Sequence, residues 1–206
     1  MNKNVNTSLA PLIAEAERCL HAAIKHFGLK TKPESIVFTI QTKGRKNALG
    51  WFWASRWKTQ AKESVQEINL SAETLRDCNP GEVIIHELAH AENFTLGIKD
   101  CVNNVHNKKF KAMAEQLGLL VKPRDKRYGY GFTDLGDGAK AFLDSIKFDH
   151  QLFKLNRLEP VTAAKAGTRL LKCQCPECEY TVRITQKWID VGLPVCPCGT
   201  EMEAVV

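Results

Sequence analysis

Long apolar runs are missing from this chain. No segment approaches the roughly 20 apolar residues that a membrane-crossing helix needs, and the opening Met1-Asn2-Lys3-Asn4-Val5-Asn6 lacks the apolar stretch of a secretory leader. Both absences point to a cytoplasmic protein with no membrane partner. Internal repeats and low-complexity tracts are also lacking, which argues against a solenoid or a repetitive tail. Acidic residues are scarce between positions 30 and 63: only Glu34 and Glu63 oppose Lys30, Lys32, Lys43, Arg45, Lys46, Arg56, Lys58 and Lys62, in a chain of net charge +6. Nothing marks an oxidising compartment. Of eight cysteines, Cys19, Cys78 and Cys101 are scattered singly, and the other five fall at metal-ligand spacing, so reduced thiols are expected. At 206 residues the chain can bury one substantial core and append a small metal-stabilised module.

What the sequence does contain is His86-Glu87-Leu88-Ala89-His90. At the helical period the two imidazoles lie one turn apart on one face, within reach of a single metal ion. Zinc takes neutral imidazole nitrogen, and a catalytic zinc uses three protein ligands so that water can hold the fourth position. A carboxylate beside the first ligand is placed to take that water's proton, which makes Glu87 the candidate general base. Val83, Ile84, Ile85, Leu88, Ala89, Ala91 and Phe94 make the helix apolar on nearly all sides, so it belongs in the core. Polar groups there cost several kcal/mol unless partnered, and a cation is such a partner. Asn79 as cap, Pro80 at the first position and Gly97 past the end bound the helix.

The third ligand requires the chain to turn back. Residues 98–105 are long enough to reverse direction, and Asn107 can cap a second helix through Phe110, Met113, Ala114 and Leu117, delivering His106 at its start. Glu115 on that helix is the rival ligand. Upstream, apolar residues from Leu9 to Phe27 recur at helical spacing, ending at Gly28, and strands are expected at 35–42, 50–57 and 65–71. This is an α+β pattern. The last strand, Glu67 to Ser71, is the candidate edge for an extended peptide substrate. His21, His26 and His150 have no ligand-spaced partner. Tyr128-Gly129-Tyr130-Gly131-Phe132 reads as a mobile glycine loop, with either tyrosine a candidate donor to an oxyanion. A short helix is expected over 138–147, and 150–168 reads as a tether between a first domain, 1–149, and a second, 169–206.

In the second domain Cys175-Pro176-Glu177-Cys178 and Cys196-Pro197-Cys198-Gly199 flank the strand-like Tyr180 to Thr185. Four thiolates in two knuckles close a tetrahedral structural zinc, giving a small β zinc ribbon. Cys173 could replace one of the four.

These residues resemble the SprT-like metalloprotease family, whose relatives include the Spartan proteases. The likeness rests on His86-Glu87-Leu88-Ala89-His90-Ala91, on His106-Asn107-Lys108-Lys109-Phe110 with Met113 and Leu117-Gly118, and on Leu49-Gly50 and Glu67-Ile68-Asn69-Leu70-Ser71 in the same order upstream. It covers roughly residues 7 to 120. Asn107 departs from the glycine that usually follows the third histidine in Spartan relatives. The resemblance implies a zincin-like fold, a zinc-dependent endopeptidase with catalytic Glu87 and ligands His86, His90 and His106, a ribbon after the protease domain, and DNA-protein crosslinks as substrate in DNA repair.

Trp51, Phe52, Trp53 and Trp57 lie within the basic stretch. Basic groups beside aromatics neutralise phosphates while rings stack on unpaired bases, so Lys43, Arg45, Lys46, Trp51, Trp53, Arg56 and Lys58 are candidate contacts to single-stranded or distorted DNA. The same residues also fit core tryptophans under a solvated lysine face. The expectation is thus a DNA-associated endopeptidase with one catalytic and one structural zinc, acting on proteins with low side-chain selectivity. A non-proteolytic, zinc-stabilised nucleic-acid-binding module and a zinc hydrolase of small amides are the other two readings.

Overall fold

A computed structural model describes residues 8–41, 48–61, 63–155, 157 and 170–205. The chain divides into two compact units, Met1–Glu159 and Pro160–Val206.

The first unit opens with α1 (Ala10–His26), which buries Leu12, Ala16, Cys19, Leu20, Ala23 and Ile24 along one stripe. A three-stranded sheet follows, built from β1 (Ile36–Gln41), β2 (Gly50–Lys58) and β3 (Ser64–Ser71) in the order β1-β3-β2. β3 is parallel to β1 and antiparallel to β2, and Ile68 stands opposite both Phe38 and Phe52. A bulge between Trp53 and Trp57 holds Ser55 at φ 55°.

Next comes α2 (Pro80–Thr95), as its cap residues predict: the Asn79 side chain accepts from the Glu82 amide at 3.3 Å. Such a cap contributes about 1 kcal/mol. Twelve of its residues are buried, on all sides, because the sheet, α1 and later helices surround it. β4 (Cys101–Val102) and β5 (Val105–His106) form a hairpin through Asn103 and Asn104, both at positive φ, the conformation of a tight two-residue turn. α3 (Lys108–Gln116) is capped by Asn107, and β6 (Leu119–Val121), β7 (Thr133–Leu135) and α4 (Asp137–Ser145) complete the frame.

Two expectations change here. The strand from Glu67 to Ser71 is no edge: β3 is the centre of the sheet, paired on both sides. Its polar Glu67, 1% exposed, is satisfied internally by the Trp57 indole N–H at 2.8 Å, the Thr39 hydroxyl at 2.8 Å and the Gln41 amide. The open edge beside α2 belongs to β2. The first unit also runs past residue 149. His150–Lys154 form a 3-10 turn that buries Phe153 in the core, and the Arg157 amide donates to the Ala72 carbonyl at 2.8 Å. Residues 158–168 of the expected tether lie outside the described residues.

The second unit contains β8 (Leu170–Gln174), β9 (Thr181–Thr185), α5 (Gln186–Ile189) and β10 (Glu203–Val205), with β8 central in an antiparallel sheet. Cys173, Cys175, Cys196 and Met202 are its buried core. Among the described residues, no helix is long and apolar enough to cross a membrane.

Candidate metal centres

His86 and His90 project from one face of α2, and the β4–β5 hairpin returns His106 to them. One ring nitrogen from each lies within 4.8 Å of the others. The Nε2 atoms of His90 and His106 are 3.0 Å apart. Phe110, fully buried at the start of α3, packs against all three rings at 4.5–4.7 Å between centroids and closes the floor of the site.

The outward nitrogens fix the tautomers. His90 Nδ1 lies 2.8 Å from the Asp100 carboxylate, which also accepts from the Asn93 amide at 2.9 Å. His106 Nδ1 faces the Tyr128 carbonyl at 3.2 Å. Carboxylate and carbonyl oxygens only accept, so both Nδ1 atoms carry the proton. His86 Nδ1 lies 3.0 Å from the Thr133 hydroxyl, which donates to Glu82 at 2.7 Å and therefore accepts from the ring. Burial, reinforced by the other two imidazoles, pushes His86 well below the usual histidine range, and burial with His90 beside it lowers His106 to about 4. With each Nδ1 turned to an oxygen acceptor, the ligating nitrogens are left facing one another. Lone pairs at 3.0 Å repel unless a cation lies between them, and two nitrogens sharing a tetrahedral zinc at about 2.0–2.1 Å are about 3.3 Å apart. The donor set fits zinc.

Glu87 lies on the same helix, buried. Desolvation raises its carboxyl to about 7, against the opposing pull of His90 and of the nearby Phe52 backbone. Gly50 makes this approach possible: a Cβ there would sit 2.6 Å from Val83 Cγ1 and 3.4 Å from Glu87 Oε1. β2 runs beside Glu87 here, and among the described residues its outer edge pairs with no other strand. A groove of about 370 Å³ runs from this point, lined by Phe52, His90, Phe94, Ile98, Lys99 and Asp100.

Glu115 takes no part; it is exposed and paired with Lys111. Sequence reasoning missed Asp100, Thr133 and Glu82. Asp100, an acid in the segment that carries the chain back to the metal, left a faint signal; Thr133 left none, because β7 reaches α2 only through the fold.

In the second unit Cys175, Cys178, Cys196 and Cys198 form another group of four, with Sγ atoms 3.5 Å apart for Cys175 and Cys198, 3.4 Å for Cys178 and Cys196, and 3.8 Å for Cys178 and Cys198. These are too long for disulfides, at about 2.05 Å, and close to the roughly 3.8 Å between thiolates on one tetrahedral zinc. The shorter spacing of the second pair does not prevent closure. Cys173 packs into the ribbon core and stands outside the group.

Of the candidate DNA contacts, Lys43, Arg45 and Lys46 lie outside the described residues. Strand alternation sets Trp51, Trp53 and Trp57 on the face of the sheet turned from α2, while Phe52 packs toward the core. Trp53 and Trp57 are 46% and 45% exposed, Arg56 lies over Trp53 at 5.2 Å, and Lys58 is exposed.

A family model described as the SprT-like family matches residues 16–128, more than half of the chain. No curated protein and no solved structure matches. The matched span takes in the sheet, α2 and the His106 hairpin, and ends at the residue whose carbonyl holds His106; the chain belongs to the SprT-like family.

Proposed function

We propose that this protein is a zinc-dependent endopeptidase that works on proteins bound or crosslinked to DNA. Membership of the SprT-like family supports a metallopeptidase-type domain. The observation that carries the reading is the convergence of three tautomer-fixed imidazoles beside a buried glutamate on one helix.

His86, His90 and His106 would hold the catalytic zinc, and Cys175, Cys178, Cys196 and Cys198 a structural one. Zinc bound at the histidine site would supply a Lewis acid for the scissile carbonyl and would lower the pKa of water toward roughly 7. Glu87 takes the proton from the attacking water on its carboxylate and passes it to the leaving amine. Low local dielectric favours a carboxylate that binds a proton and gives it up again near neutrality. The free edge of β2, running past Glu87 at Phe52, binds an extended backbone through main-chain hydrogen bonds, which demand little of the substrate's side chains. Selection then falls to context. The outward Trp53 and Trp57, with Arg56 and Lys58, offer stacking faces and positive charge to unpaired DNA, and the ribbon adds exposed Tyr180 and Trp188.

The test is incubation with a protein crosslinked to single-stranded DNA and, in parallel, with the same protein unfolded and free. The unmodified chain is expected to cut the crosslinked protein, and Glu87→Gln to retain zinc and fold while losing about 10²–10⁴ in rate. Normal cutting by Glu87→Gln would refute the assigned base. DNA complexes without any cleavage by the unmodified chain would replace the enzyme with a binding module.

A further inference from the structure

We infer that the segment from Asp125 to Gly131 is a clasp that orients the third histidine, and that Gly131 is a positioning residue acting through His106; the inference rests on His106 being a zinc ligand. The segment grips residue 106 at three points. The His106 amide donates to the Tyr128 carbonyl at 3.0 Å, the Tyr130 amide donates to the His106 carbonyl at 3.0 Å, and the ring Nδ1 reaches the same Tyr128 carbonyl at 3.2 Å. One carbonyl thus fixes both the backbone and the imidazole of this residue.

The clasp is closed on itself. Asp125 exchanges main-chain hydrogen bonds with Gly129, at 2.7 and 3.1 Å, and its carboxylate accepts from the Arg127 and Tyr128 amides at 2.7 Å each. His86 and His90 are oriented by side chains, Thr133 and Asp100. His106 depends instead on a backbone passing close to its ring, and two glycines permit that passage.

Their roles differ. Gly129 is at φ +63°, and a Cβ there would lie 2.1 Å from the His106 carbonyl oxygen, so the backbone itself requires glycine. Gly131 has no left-handed φ. Its hypothetical Cβ would lie 2.5 Å from His106 Nδ1 and 2.8 Å from Cε1, the imidazole itself. Alanine at 131 therefore needs no left-handed backbone, and it presses on the ring far more than on the Tyr128 carbonyl oxygen, 3.1 Å from the same Cβ. Groups that orient a metal ligand from behind typically change metal affinity by about 10–100-fold when altered.

The experiment compares the full chain with Gly131→Ala and His106→Ala, measuring zinc affinity by chelator competition, the visible spectrum of cobalt at the histidine site, and thermal unfolding of metal-stripped protein. Gly131→Ala is expected to lose at least about tenfold in affinity at the histidine site and to alter the cobalt spectrum. The four-cysteine site and the melting of the metal-free chain are expected to stay as they were. Unchanged affinity and spectrum would overturn the clasp, and so would a metal-free Gly131→Ala that no longer folds, since the glycine would then be a requirement of the fold. If His106→Ala bound zinc as tightly as the unmodified chain, the ligand assignment beneath the clasp would fail instead, and the two failures are distinguishable.

Discussion

Behind the three imidazoles stand three different acceptors: a carboxylate for His90, a hydroxyl for His86 and a main-chain carbonyl for His106. The carboxylate is the strongest, because an ionised oxygen fixes the tautomer and raises the basicity of the ligating nitrogen. Asp100→Asn is nearly isosteric, yet it can offer an N–H where His90 Nδ1 needs an acceptor. It is expected to lower zinc affinity at the histidine site by about 10–100-fold, with the four-cysteine site unaffected; chelator competition measures both, and an unchanged affinity would show that Asp100 has no such role. At this scale the sequence revealed the groups that lie on a local period. His86, Glu87 and His90 share one helix, and Asn79 and Asn107 cap as their types predict. Asp100 left only a faint signal, and Thr133 and the Tyr128 carbonyl none, since no periodicity links positions brought together by a hairpin and a returning strand.

Elements in the first unit are joined by a few buried polar ties, of which Glu15 is the clearest. From α1 its carboxylate accepts from Arg18 at 2.7 and 2.6 Å and from the Asp149 amide at 2.8 Å, while Arg18 donates to the Ile146 carbonyl at 3.0 Å. This fastens α1 to the end of α4. The Arg18 hydrogen bonds, with help from the Asp149 amide, hold Glu15 below the usual carboxylate range. Its contribution is therefore complete above the unfolded-chain pKa and is lost as pH falls through the lower folded value. Glu15→Gln is expected to cost about 1–3 kcal/mol at pH 7, and the gap to the unmodified chain to narrow on acidification below about pH 4; denaturant unfolding across that range measures it, and a gap constant with pH would refute the linkage. Sheet order shows the opposite limit. The strand from Glu67 to Ser71 is expected at an edge beside the active-site helix, but the Glu67 carboxylate is met by Trp57 on one side and by Gln41 and Thr39 on the other, as a central strand requires. Alternation along a strand reports its faces, not its place in the sheet.

At the scale of the molecule, two units carry two metal-ligand groups with different demands. The first has an extensive apolar core, whereas the second buries little beyond three cysteines, Met202 and the residues packed on them. So small a core does not offset the entropy of ordering its chain without a metal. Cys196→Ser is expected to halve the zinc content from two to one and to abolish amide-exchange protection over 170–205, while the helical circular dichroism, which comes mainly from the first unit, persists. Protection that survived would show that the ribbon folds without its ion. The surplus of positive charge is likewise a property of the whole chain. Its distribution over β2 became readable only when the bulge at Ser55 and the outward tryptophans were in view.

By itself the sequence determined the four helices of the first unit, the caps of α2 and α3, the α+β character, and the donors of both metal groups. Each of these is set by residue type at a short, regular spacing, which the backbone period turns directly into geometry. The tertiary structure alone decided that β3 lies between β1 and β2, that β2 presents the free edge at Glu87, and that Asp100, Thr133 and a glycine clasp hold the imidazoles. Those relations join segments tens of residues apart, through packing and hydrogen bonds whose partners carry no mark in the local chain.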